Sequence, residues 1–245
     1  MLLVIDIGNT RTKWALVDDA DNLSTFEVCM NADIETSNLS VTAQKSDRAL
    51  IANVAGDAIV QQVTQLLKPL AVRLMSAGVQ ACGVTNHYQS NLGADRWAAL
   101  VGAWRHSQQA TVVVNAGTAV TIDCLDNSGN FLGGTIMPGL RLMHESLNKQ
   151  TAQLSLKKGS YQVFPVITQD AIETGCLTAV LGAISMMLNR LEKQNACIPK
   201  LVLSGGDVYN LALALQTDLM LNEKQVMIIE NLVLQGLVQL EKEMR

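Results

Sequence analysis

The residues best suited to chemistry follow an apolar run at the start of the chain. Residues 2–5 lead into Asp6, and small, hydroxyl, amide and basic residues come directly after it: Gly8, Asn9, Thr10, Thr12 and Lys13. A carboxylate at the end of a buried strand is costly unless it is paired or bound to a metal. Asp6 is therefore predicted to hold Mg²⁺ beside phosphate groups, with Lys13 supplying positive charge. The alternatives are a turn-forming aspartate and an ordinary exposed lysine.

A second copy of this pattern occurs in the other half of the chain. Residues 111–114 lead into Asn115, and Gly117, Thr118 and Asp123 follow. Each copy predicts two β-strands joined by a tight glycine turn, whose outward backbone N–H groups suit phosphate. One such turn in each half predicts two similar domains that bind a polyphosphate, residues 1–108 and residues 109–245.

A further acid and base are expected in the first turn of a helix. Gly93, Ala94, Asp95 and Arg96 precede apolar residues that recur at helical spacing. The free N–H groups and the dipole of a helix N-terminus favour anions there. Asp95 is predicted to accept the proton of a substrate hydroxyl while Arg96 binds an acidic group. The alternative is that Asp95 only starts the helix and Arg96 pairs with a neighbour.

Glycine turns and apolar periodicity predict the remaining organisation. The glycine pairs Gly133-Gly134 and Gly205-Gly206, together with Pro138-Gly139, are either ligand-facing turns or plain punctuation. Helices are expected over 57–68, from Asp95 onward, and over 140–150, 171–193 and 223–243. Asp170 is expected to cap the fourth of these helices, with Glu173 as its reciprocal partner. Strands are expected over 2–6, 12–17, 24–29, 48–54, 70–75, 129–136 and 201–203.

Composition excludes several classes of protein. Of 245 residues, 49% are apolar and 16% are charged, and the net charge is −4. The chain therefore has a sizeable core and lacks the basic patches of a nucleic-acid binder. No apolar stretch is long enough to predict a signal peptide or a membrane span. Five scattered cysteines without a C-x-x-C pair indicate reduced thiols. The protein is predicted to be cytoplasmic.

Taken together, these motifs resemble those of type III pantothenate kinases, also called the Bvg accessory factor family. The resemblance runs from Asp6-x-Gly8-Asn9-Thr10-x-x-Lys13 through residues 93–96, 117–123 and 133–139 to residues 230–237, nearly the whole chain. It implies an α/β fold of two similar actin-like domains, related to sugar kinases and Hsp70. It also implies ATP-dependent phosphorylation of pantothenate, the first step of coenzyme A biosynthesis.

The resemblance also implies roles for individual residues. ATP contacts would come from Asp6, Ile7, Gly8, Asn9, Thr10, Arg11, Thr12, Lys13 and Thr118. Pantothenate contacts would come from Tyr88, Gly93, Ala94, Asp95, Arg96 and Thr168, with Asp95 as the proton acceptor. Mg²⁺ would lie at Asp6. Family members usually carry Asp where this chain has Asn115, and that Asp binds a monovalent cation, K⁺ or NH₄⁺. A homodimer is implied, with the partner chain completing the pantothenate pocket.

Two other functions fit the same residues. One is another small-molecule kinase of the same superfold, acting on a sugar or a carboxylate, because a fold does not define its substrate. The other is a nucleotide-binding accessory protein that has lost catalysis, to which the Asn115 departure would point. Intact Asp6, Asp95 and Arg96 favour an active kinase over the accessory protein.

Overall fold

A computed structural model describes residues 1–150, 159–218, 221–222 and 224–244. The chain divides into two compact units. The first contains Met1–Gln108, Gly129–Phe131 and Asn231–Arg245, and the second contains Gln109–Ser128 and Leu132–Glu230. Two short segments of the second half thus pack with the first half. The division into domains 1–108 and 109–245 stays a prediction.

The first half of the chain alternates strands and helices after an initial three-strand meander. Its strands are β1 (Leu2–Ile7), β2 (Arg11–Val17), β3 (Glu27–Met30), β4 (Arg48–Asn53), β5 (Ala71–Leu74), β6 (Gln80–Ala81) and β7 (Val84–Asn86). Its α-helices are α1 (Leu39–Ala43), α2 (Asp57–Leu66) and α3 (Ala94–Ser107), and a 3-10 helix covers Asn31–Thr36.

The second half repeats this order. It contains β8 (Thr111–Ala116), β9 (Ala119–Leu125), β10 (Asn130–Pro138), α4 (Leu140–Gln150), α5 (Thr168–Asn195), β11 (Lys200–Ser204), α6 (Val208–Asp218), β12 (Val226–Ile228) and α7 (Leu232–Glu243).

Two of the predicted helix starts are wrong. Helix α5 begins at Thr168 after the extended residue Ile167, so Asp170 is not its cap. The carboxylate of Asp170 instead accepts a hydrogen bond from the backbone N–H of Ser160. The helix expected over 223–243 begins only at Leu232, because the β-branched and apolar residues before it form β12.

In the first unit, a sheet ordered β3-β2-β1-β4-β5 has one face against a hydrophobic core and a second face that carries charged residues. Alternation along β1 places Leu3, Ile5 and Ile7 in the core, with Trp14 of β2 beside them. Asp6 therefore lies on the opposite face, directly across from Lys13 in the antiparallel register. The predicted hairpin of β1 and β2 is confirmed, and its pleat is what separates the charged residues from the core.

Helices α3 and α7 belong to the same unit and pack closely against each other. Gly236 of α7 lies against the backbone of Ala98 in α3, and a Cβ at position 236 would collide with the Ala98 carbonyl oxygen. Only glycine allows two helix backbones to approach this closely. The C-terminal helix thereby holds the helix that carries Asp95 and Arg96.

In the second unit, strands β12-β11-β8-β9-β10 form a sheet whose core is completed by α5 and α6. Hairpin β8-β9 is antiparallel, as predicted for the second glycine turn. Helix α5 has the length and composition of a membrane-crossing helix. A core helix meets the same criterion, and α5 buries its inner side chains in this unit, among them Leu177, Val180, Leu181 and Ile184.

Candidate active site

The first glycine turn projects polar groups from the end of the β1-β2 hairpin. The N–H of Gly8 donates to the carbonyl of Arg11 at 3.0 Å, which closes the turn. Asn9 and Arg11 are exposed, and Asp6 and Lys13 lie side by side behind them. Ile7 and Thr12 are fully buried. Any contact of Ile7 or Thr12 with a ligand at this turn must therefore use the backbone.

Asp6 is the most perturbed carboxylate of this turn. Burial, and after it the charge of the nearby Asp95 carboxylate, raise its pKa to about 7, against the lowering effect of Lys13. Two carboxylates that repel each other in a poorly solvated place favour a cation between or beside them. The structure thus brings Asp6 and Asp95 together, although they are far apart in sequence.

Asp95 is held at the start of α3 by the way the chain enters that helix. Gly93 precedes the helix and lies next to Val54, which follows β4 and donates its N–H to the carbonyl of Ile7 at 3.0 Å. The helix N-terminus therefore abuts the carboxyl ends of β1 and β4. Burial raises the pKa of Asp95, while the backbone N–H and the guanidinium of Arg96 lower it. A half-buried carboxylate with a raised pKa is a suitable proton acceptor.

Arg96 is buried, and its guanidinium lies against two aromatic rings that are also in contact with each other. Its guanidinium carbon is 5.3 Å from the ring centre of Tyr88 and 5.8 Å from that of Phe131. The two rings are themselves 5.7 Å apart. Aromatic faces attract a guanidinium and limit its movement, most strongly where water is excluded. The structure thus places Tyr88 beside Arg96 and adds Phe131 to the predicted substrate residues.

Phe131 has no local sequence signal for this role. It belongs to the short segment Gly129–Phe131 that packs with the first unit. Its strand pairs in parallel with β7, where Phe131 lies opposite Asn86. The Asn86 side-chain oxygen accepts the N–H of Tyr88 at 2.9 Å, so one short ribbon positions both rings. Only this strand pairing, which a single sequence does not reveal, could have identified Phe131.

In the second unit, three predicted glycine turns meet at the carboxyl end of β8. Gly117 closes the second hairpin turn by donating to Ala119 at 3.0 Å. The N–H of Gly139 donates to the carbonyl of Thr118 at 2.9 Å, and that of Asp207 donates to Ala116 at 3.2 Å. Gly205 has φ +106°, and its α-carbon packs against the Ala116 backbone. These turns leave a backbone-rich surface suited to a phosphate or a flat ring.

Asn115 lies in a row of neutral oxygen-bearing side chains in the same unit. Its strand neighbours are Thr121 on β9 and Ser204 on β11. Thr168 is exposed at the first residue of α5.

Within the ranges that the structure describes, no group of three or more His, Cys, Asp or Glu residues could hold a metal ion. A Mg²⁺ ion at Asp6 would therefore have to be bound by that carboxylate together with phosphate and water ligands, as Mg²⁺ commonly is.

Comparison with solved structures defines the class. A Baf family protein of Campylobacter jejuni matches with a TM-score of 0.66 at 22% identity, covering 98% of each chain. A protein of Sinorhizobium meliloti described as a 2-dehydro-3-deoxygalactonokinase matches with a TM-score of 0.62 at 10% identity, covering 97% of each chain. Together with the duplicated glycine turns, these likenesses define an α/β fold of the actin-like, sugar-kinase type, as the sequence predicts.

The sequence relatives identify the family. A family model for type III pantothenate kinase matches residues 2–190. The chain is 41% identical to the type III pantothenate kinase of Methylobacillus flagellatus, covering 98% of each chain. The chain therefore belongs to the type III pantothenate kinase family, whose members phosphorylate pantothenate with ATP in coenzyme A biosynthesis, and the resemblance stated above is confirmed.

Proposed function

We propose that this chain transfers the terminal phosphoryl group of ATP to the hydroxyl of pantothenate, giving 4′-phosphopantothenate, with Asp95 as the proton acceptor. The observation that carries the proposal is the pair Asp6 and Asp95 on one face of the first unit. Phosphoryl transfer needs a charge-neutralising cation near the phosphates and a group that orients the attacking hydroxyl. The two carboxylates supply these two functions separately.

Phosphate binding is assigned to the first glycine turn. The turn at Gly8–Arg11 would bind phosphates through backbone N–H groups, with Asn9, Thr10 and Lys13 adding side-chain contacts. The family resemblance also implies an ATP contact for Thr118. When bound, Mg²⁺ would neutralise charge on the phosphate oxygens. Asp6 fits that ion, because burial and the charge of Asp95 already make an unneutralised carboxylate unfavourable at this position.

Pantothenate is assigned to the surface around Arg96. Pantothenate carries a carboxylate, and a buried guanidinium held against two rings is a strong partner for such a group. Gly93 and Ala94 would bring the helix N-terminus close to the substrate, so that Asp95 meets its hydroxyl. Tyr88 is 38% exposed, so part of this residue is accessible to a substrate. The family resemblance also implies a pantothenate contact for Thr168.

A homodimer would complete the site. The residues before Thr168 form an exposed apolar segment in which Phe164 is 87% and Val166 is 95% exposed. Large apolar side chains that are exposed together are typical of a surface covered by another chain. The family resemblance assigns that chain to a second copy of the protein. We expect sedimentation analysis to give twice the 26.4 kDa chain mass, and a single-chain mass would contradict the assignment.

The remaining assignments concern ions and location. Asn115 would offer a neutral oxygen where most family members have a carboxylate, so a K⁺ or NH₄⁺ ion would bind weakly or not at all. The protein would act in the cytoplasm on ATP and pantothenate, with no nucleic acid and no membrane as partners. These proposals follow from the composition and from the family.

The decisive experiment replaces Asp95 by Asn. Without a proton acceptor, we expect kcat to fall about 100- to 10,000-fold, while the KM for ATP changes little. Asp57→Asn is a matched control, since Asp57 is an exposed aspartate in the first turn of α2. Near-normal turnover in Asp95→Asn would refute the assigned role.

A coupled assay with pantothenate, hexoses and acetate separates pantothenate kinase from other kinases, and ATP binding without any turnover would indicate an accessory protein.

A further inference from the structure

One side chain outside the predicted site is hydrogen-bonded to the first glycine turn at several points. Asn31 follows β3 and begins the 3-10 helix. Its side-chain Nδ2 donates to the carbonyl of Gly8 at 2.8 Å, and its Oδ1 accepts the hydroxyl of Thr12 at 2.9 Å. Its backbone N–H donates to the carbonyl of Thr10 at 3.0 Å. A single residue thus links three residues of the turn.

These contacts determine which groups of the turn face outward. Gly8 and Thr10 direct their carbonyl oxygens toward Asn31, and Thr12 is fully buried with its hydroxyl on the same amide. A turn that binds phosphate must present N–H groups to the ligand and keep its carbonyl oxygens away from it. Holding the carbonyls of Gly8 and Thr10 on the inner side favours that arrangement before any ligand arrives.

The arrangement requires the chemistry of an amide. Nδ2 donates while Oδ1 accepts, and a carboxylate has no donor to offer Gly8. Besides the hairpin hydrogen bond between Gly8 and Arg11, the turn is hydrogen-bonded to Asn31, which lies 23 positions from Gly8 in the sequence. Preorganising a binding group lowers the cost of ordering it when the ligand binds.

We infer that Asn31 is a positioning residue for ATP, which acts by holding Gly8, Thr10 and Thr12 in the phosphate-binding shape. The inference depends on the proposed role of this turn in binding ATP. It predicts an effect on ATP alone, because pantothenate is assigned to Arg96 and its neighbours. Loss of two side-chain hydrogen bonds is expected to raise the KM for ATP about tenfold.

The test measures steady-state kinetics of Asn31→Ala and Asn31→Asp at varied ATP and at varied pantothenate. Asn31→Ala should raise the KM for ATP about tenfold and leave the KM for pantothenate unchanged. Asn31→Asp should be at least as impaired, because its second oxygen faces the Gly8 carbonyl. Asn38→Ala is the matched control, since the Asn38 amide donates to Glu27 in the same unit and does not contact the turn. It should lower the melting temperature at most and keep both KM values.

Two further variants make the outcome decisive. Thr12→Val removes only one of the two side-chain bonds, so it should raise the KM for ATP by a smaller factor even if Asn31→Ala folds poorly. In the Asn31→Ala background, Thr12→Val should not raise the KM for ATP further, because the acceptor of the Thr12 hydroxyl is already absent. Lys13→Ala tests the turn itself. If Lys13→Ala raises the KM for ATP but Asn31→Ala and Thr12→Val do not, the inference is wrong and the proposed site stands. If none of them does, the proposed ATP site is wrong as well.

Discussion

Asp6 is predicted to destabilise the protein when no ligand is bound, and its replacement by Asn should reveal this. Burial and the charge of Asp95 raise the Asp6 pKa from 3.8 to about 7. Between these two values the folded protein keeps a proton that the unfolded chain has already lost, so stability falls as pH rises. At about 1.36 kcal/mol per pKa unit, the full penalty above pH 7 is about 4 kcal/mol.

The pH dependence separates this effect from any other consequence of the substitution. At pH 5 the folded carboxyl is still protonated and the penalty is about 1.6 kcal/mol, whereas at pH 8 it is complete. Asp6→Asn cannot ionise, and any packing cost of its amide is the same at both pH values. Its stability relative to the wild type should therefore increase by about 2.5 kcal/mol between pH 5 and pH 8.

Thermal unfolding in the presence of a chelator and without nucleotide measures the difference. For a chain of this size, about 2.5 kcal/mol corresponds to a relative gain in melting temperature of roughly 5 to 10 °C. Asp19→Asn, at an exposed position, is the control and should show no pH-dependent difference. If the difference in stability between Asp6→Asn and the wild type is equal at pH 5 and pH 8, ionised Asp6 does not destabilise the folded protein and the reasoning is wrong. Activity should fall although the protein is more stable, because sites tuned for function often sacrifice stability.

Three other substitutions test the remaining parts of the structure. Phe131→Leu should raise the KM for pantothenate about 5- to 30-fold, because a cation–π contact at a desolvated guanidinium contributes about 1 to 2 kcal/mol. Phe131→Tyr should keep the KM near the wild-type value, and an unchanged KM in Phe131→Leu would show that Phe131 is not part of the site. Gly236→Ala should destabilise the protein by roughly 1 to 3 kcal/mol or more in thermal unfolding, since the added methyl group would collide with the backbone of Ala98. The control Gly182→Ala, at a position with open space around it, should be neutral or stabilising. Equal effects of the two substitutions would contradict the close contact between α3 and α7. For Asn115, activity should change little when Na⁺ replaces K⁺, whereas Asn115→Asp should create a K⁺ requirement; a steep K⁺ requirement of the wild type would mean that the position is misread.

Local patterns were sufficient to predict the hairpins and most of the helices. The runs before Asp6 and Asn115 are β-branched and bounded by Gly, and both form the expected antiparallel pairs. The helix that starts near Asp95 was equally clear, because its apolar residues recur at helical spacing. Asp6, Lys13, Asp95 and Arg96 belong to these elements, which is why they could be named from the sequence.

The errors arise where tertiary contacts overrule local signals. Asp170 has the type and spacing of a helix cap, yet the helix starts earlier and the carboxylate binds Ser160. Residues 226–228 have apolar character that fits a helix, but pairing in parallel with β11 makes them a strand. Phe131 and Asn31 could not be predicted because each reaches the site through strands or turns distant in the sequence.

The two hairpins use the same backbone for different electrostatic purposes. In the first, Asp6 lies opposite the basic Lys13, and Asp95 adds a second negative charge nearby. In the second, Asn115 occupies the corresponding end of the strand and lies opposite the neutral Thr121. A carboxylate at 115 would face bound triphosphate with its own negative charge, and the cation implied by the family resemblance would offset that repulsion. With Asn115 that repulsion would be absent, so under the proposed function this turn would bind phosphate without a monovalent ion. The charged residues of the proposed site, Asp6, Lys13, Asp95 and Arg96, all belong to the first unit.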